Sequence, residues 1–139
     1  MRSKRNVVLV LVGVMVVIFS AGIVWNVLRP DAAERTLRDL PVYPGAREVP
    51  IAASEAHGWQ NYVPQGSARQ VRYAVPRGTT RAALFSFYAH RMTPKWRLVN
   101  PACYARGSTV VVLLTALPAR PTVDVVVDTG GVPCPEFSG

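Results

Sequence analysis

The chain has 139 residues, of which 50% are hydrophobic and 17% charged, and its 16 basic and 8 acidic side chains give a formal charge of +8. That length holds one small domain, and the charge is not spread over it. Arg2, Lys4, Arg5 and Arg29 flank a single uncharged run, while residues 31–139 carry 12 basic and 8 acidic groups, an excess too small and too scattered for a nucleic-acid footprint.

Val7 to Leu28 is 22 residues without a charge, with Ser20 and Asn26 its clearly polar side chains. A helix of that length covers about 33 Å, against a hydrocarbon core of about 30 Å. Its many β-branched residues favour strands in water, but in lipid only a helix satisfies the backbone internally. Three cations precede the run, and such clusters stay cytoplasmic. A secretory signal peptide shares the basic start, and Ser20-Ala21-Gly22 offers small residues to a peptidase. The run nevertheless continues through Ile23, Val24 and Trp25 past that point, beyond the usual apolar core of about 7 to 15 residues. With no cysteine nearby to carry a lipid, the segment is expected to be retained as a single transmembrane helix.

Pro30 to Leu40 is polar except for Leu37 and Leu40 and reads as a tether or short helix. Pro44-Gly45 suits the centre of a type II turn and marks the start of the folded part. Arg47 to Ile51 reads as an edge strand, since Pro50 donates no ladder bond. From Ala68 the alternation of Val71, Tyr73 and Val75 with Arg72 and Ala74 predicts a half-buried strand ending at Pro76. Leu84, Phe85, Tyr88, Ala89 and Met92 recur at helical spacing after a Thr79 or Thr80 cap, and Thr93-Pro94 stops that helix. Trp96 and Leu98 open a short strand. Cys103–Ala105 and Thr109–Leu117 form a hairpin around Arg106-Gly107-Ser108. The unbroken Val110–Leu114 suggests a strand covered on both faces. Val123 to Asp128 returns with Val125 and Val127 toward the core. The fold class is therefore α+β: an antiparallel sheet with one helix packed on it, behind an N-terminal transmembrane helix. The expected layout is a basic stub over 1–6, the span over 7–28, a tether over 29–40 and the domain over 41–139.

Tyr43-Pro44-Gly45-Ala46, a strand, a helix bearing Phe87-Tyr88, and Trp96 at the next strand together resemble a loose group of small bacterial lipoproteins and membrane-anchored envelope proteins. Lys95 stands where a glycine often precedes that tryptophan. The resemblance implies an envelope location and an α+β core. It carries no catalytic residue across.

The chemistry leads the same way. His57 and His90 stand 33 positions apart without a Cys, Asp or Glu at ligand spacing, so neither a metal nor a cofactor is expected. No serine sits in a nucleophile elbow, and Gly130-Gly131 lacks the Lys-Ser/Thr of a phosphate loop. Asp124 and Asp128 share a strand face but lie about 13 Å apart at about 3.3 Å per residue, too far for an acid–base pair of about 5 to 9.5 Å. Trp59 and Tyr62, in the irregular stretch before the second strand, are the candidate ligand contacts. Cys103 and Cys134, placed outside by the expected topology, are expected to form a disulfide. The function expected is a non-catalytic binding or scaffolding module of the cell envelope. Its partners would be the lipid bilayer and another envelope protein or a wall polymer. The competing expectation is an enzyme whose site lies in the loop 52–67 and uses His57.

Overall fold

The chain begins with a helix whose stretch Lys4–Trp25 is strongly apolar. The computed structural model describes residues 2–28, 31–52 and 68–137. They form two compact units, Met1–Asp31 and Ala32–Gly139. In the first, α1 (Arg2–Leu28) contains Lys4–Trp25, a stretch long and apolar enough to cross a bilayer and with none of its residues buried within the protein. The Ser20 hydroxyl donates to the Val16 carbonyl at 2.8 Å, so this polar group is satisfied inside the helix, as a lipid environment demands.

The second unit opens with α2 (Ala32–Asp39), the short helix that was the alternative to a tether in this stretch. Ala33, Leu37 and Leu40 fall at i, i+4 and i+7 on one face. Ala33 is only 2% exposed, Leu40 is buried with it, and Leu37 packs alongside. The small Ala33 lets the helix backbone approach the sheet closely, a contribution hidden in sequence because alanine carries little apolar signal. Glu34 and Arg38 pair along the outer face. Residues 32–40 thus belong to the domain.

Tyr43–Ala46 is the expected turn. The Ala46 amide donates to the Tyr43 carbonyl at 2.9 Å, and Gly45 takes φ +77°. A Cβ at Gly45 would also meet Cγ of Pro76 at 2.9 Å, so two separate constraints require glycine there.

Among the described residues six strands follow: β1 (Arg47–Val49), β2 (Ala68–Ala74), β3 (Arg97–Asn100), β4 (Cys103–Arg106), β5 (Thr109–Thr115) and β6 (Thr122–Asp128), with α3 (Arg81–Met92) between β2 and β3. The sheet is antiparallel throughout in the order β1-β2-β6-β5-β4-β3. β6 is last in sequence yet lies inside the sheet, with Val125 opposite both Val71 and Leu113. α3 starts at Thr80, whose hydroxyl accepts from the Ala83 amide at 3.1 Å. Its stripe Leu84, Tyr88 and Met92 is buried, while Phe87 meets Tyr43 edge to face at 5.3 Å. β4 and β5 turn at Gly107-Ser108, where Gly107 has φ +61°.

Period-two alternation sorts the strands into two cores. On the helix face, Val71, Val111, Leu113, Val123, Val125 and Val127 pack with Trp96, Tyr104, α2 and α3. On the other face, Cys103, Ala105, Val110, Val112 and Val126 form a smaller cluster, against which Val132 and Cys134 of the C-terminal segment pack. This covering on both faces explains the unbroken run of β5.

Candidate functional site

The second sheet face is where polar side chains enter the domain. Gln70 and Arg72 project there from β2, and register sets Arg72 directly opposite Asp124 of β6. Arg72 donates from Nε to Oδ1 at 2.6 Å and from Nη2 to Oδ2 at 2.8 Å, and Gln70 Nε2 adds a third bond to Oδ2 at 3.0 Å. Asp124 is 7% exposed. A carboxylate fixed by three donors, two of them from a planar fork, makes a cross-strand clasp. A depression of about 280 Å³ adjoins it, lined by Arg72, Leu114, Arg120, Thr122 and Asp124 among others.

Asp128 is buried on the same face, and its Oδ1 accepts the Gly130 amide at 2.6 Å, closing the turn after β6. Asp124 and Asp128 therefore work separately, each within the sheet's own structure.

Cys103 and Cys134 come together with Sγ atoms 2.06 Å apart and Cα atoms 5.9 Å apart. The Gly131 amide donates to the Ser108 carbonyl at 3.1 Å, and Asn100 Nδ2 donates to the Pro135 carbonyl at 3.1 Å. Phe137 meets Phe85 of α3 edge to face at 5.9 Å. Where this segment passes α3, a cavity of about 340 Å³ opens between Arg81, Phe85, Asn100, Ala102 and Phe137.

The helix-face core holds the perturbed titrations. Burial raises the Tyr104 hydroxyl to about 12. Burial first, and then the nearby Tyr73 and Tyr104, push Tyr88 higher still, a backbone hydrogen bond at Tyr43 working weakly the other way. Both phenols are packed side chains and face no cavity described above.

The third feature is the β3 edge. Leu98 is 46% and Val99 42% exposed. The pairing of β3 with β4 shifts between Leu98 and Asn100, leaving Val99 as the extra residue. Such a bulge breaks the alternation after Leu98, while Leu98 itself stays opposite Tyr104 on the outermost strand of the sheet. Trp96 stays buried, and the Arg106 guanidinium lies over its ring at 4.2 Å. Lys95, Arg97 and Arg106 are exposed and make no ion pair among the described residues. Between Glu55 and Asp124 the sequence contains nine basic residues and no acidic one, a gap that the overall charge conceals.

Trp59, Tyr62 and His57, on which the ligand-contact and enzyme expectations rest, lie outside the described residues, as does 53–67 as a whole. His90 is exposed in the last turn of α3. Among the described residues no three His, Cys, Asp or Glu side chains converge as a metal site. Comparison with protein-family models, curated proteins and solved structures finds no match to the chain.

Proposed function

We propose that the protein is a single-pass membrane protein of the bacterial cell envelope, with its N-terminus cytoplasmic and its α+β domain outside, acting by binding or scaffolding and not by catalysis. The observation that carries this reading is α1, whose apolar stretch Lys4–Trp25 is not buried among the described residues and whose charges, Arg2, Lys4 and Arg5, lie at its N-terminal end. The cysteine pair at bonding distance suits an oxidising compartment. The polar groups on the second sheet face favour a non-catalytic reading because they are engaged in holding strands and turns. The envelope partner would be another membrane protein or a wall polymer.

The experiment has two arms on the full-length protein in its native membrane. Protease added to intact spheroplasts should remove the domain while sparing the N-terminus, and a protected domain would overturn the topology. Crosslinking followed by pull-down should recover a defined envelope component. Turnover of a wall or lipid substrate by the purified protein, abolished by His57→Ala, would replace the binding reading with an enzymatic one.

A further inference from the structure

We propose that the exposed apolar pair Leu98–Val99 on the edge strand β3, with Lys95 and Arg97 beside it in the chain and Arg106 on the neighbouring strand β4, docks the domain on the anionic headgroup surface of the bilayer that α1 spans, an inference that rests on reading α1 as a membrane anchor. Two neighbouring aliphatic side chains more than two-fifths exposed, beside cations with no acidic partner among the described residues, make the combination that partitions into a charged interface. The chains enter the acyl boundary while the ammonium and guanidinium groups meet phosphate.

Other occupants fit this edge less well. An added β-strand needs a regular row of unpaired amides and carbonyls, whereas β3 has four residues, lies between Pro94 and Pro101, and carries its bulge at Val99. Those are the devices by which edge strands resist pairing. A second copy would bring Lys95 and Arg97 against their own like charges. A lipid surface asks for no strand register and supplies the opposite charge. Chain connectivity also favours it: only Arg29, Pro30 and Asp31 join α1 to α2. On the reading of α1 as an anchor, a bilayer is then the one surface the domain meets without a diffusional search.

The test is amide hydrogen exchange on the full-length protein in nanodiscs of phosphatidylcholine alone or mixed with phosphatidylglycerol. Exchange between Pro94 and Pro101 should slow in the anionic discs, with β6 unchanged as the control for folding. High salt should reverse the slowing, since the screening length falls to about 3 Å at 1 M. Each basic residue is worth about fivefold in surface partition. The double variant Lys95→Glu, Arg97→Glu should therefore lower the docked-to-free ratio by at least about 25-fold and abolish the slowing. Leu98→Ser with Val99→Ser should weaken it without altering β6. Equal exchange in the two lipids would overturn the docking while leaving the anchor intact. Slowing that ignores lipid charge but requires two proteins per disc would replace the bilayer by a second copy. A protein that fails to remain with the disc would overturn the anchor and the docking together.

Discussion

At the scale of single residues, the clasp at Asp124 is where charge and packing meet. Removing one member of a nearly buried pair leaves the other charge without its counter-ion. With the Asp124 side chain 10% and that of Arg72 20% exposed, we expect Asp124→Ala to destabilise the domain by about 2 to 3 kcal/mol, the range of a hydrogen-bonded charge. Replacing both partners together, Arg72→Met with Asp124→Leu, should cost clearly less, because no orphaned charge remains. Urea unfolding of the two variants checks this. Equal losses would mean that the carboxylate's worth lies in something other than Arg72. In the sequence, Arg72 and Asp124 were legible as polar positions on alternating strands. Their meeting was not, since it depends on which strand β2 pairs with and in what register.

Single elements show the same division. The stripe of α3, the Gly107 hairpin and the edge position of β1 follow from spacing and turn chemistry alone and are present. α2 was obscured because half of its buried face is an alanine. β3 was legible as a strand, but the bulge at Val99 is a property of its pairing with β4. No local pattern announces it. The candidate contacts Trp59 and Tyr62 lie in a stretch without periodicity, where sequence offers composition only. The C-terminal segment was legible through its cysteine. A bond between Cys103 and Cys134, 31 positions apart, removes chain entropy from the unfolded state worth about 3 to 4 kcal/mol. Reduction is thus expected to lower the melting temperature by about 15 °C, and calorimetry with and without reductant checks it. Unchanged melting would show that Val132 and the Asn100–Pro135 hydrogen bond hold the segment without the covalent link.

At the scale of the whole molecule, the helix-face core makes stability depend on alkaline pH. Tyr104 titrates near 12 in the folded protein and Tyr88 higher, against an ordinary value of 10. Above pH 10 the unfolded chain therefore releases protons that the folded chain keeps. This contribution is complete below pH 10 and is lost as the pH rises through 12. The fragment 31–139 should show one cooperative thermal transition, its midpoint falling from about pH 10 upward, with part of the tyrosinate absorbance appearing only as the fold is lost. Full ionisation of the tyrosines in a still-folded fragment would contradict that burial, and aggregation of the fragment would mean that the domain needs α1.

The place of β6 carries a consequence for the order in which the molecule comes into being. β1 and β2 lie on one side of it and β3, β4 and β5 on the other, and β6 is the last strand to be synthesised. The clasp that joins it to β2 bridges 52 positions. Until residue 128 has emerged there are two partial sheets with raw edges and no common core, so the domain closes in one late event, like an arch that stands only when its keystone is set. Long-range pairing of this kind makes folding slow. It also keeps the nascent chain open for most of its synthesis, the condition in which a polypeptide can be threaded across a membrane.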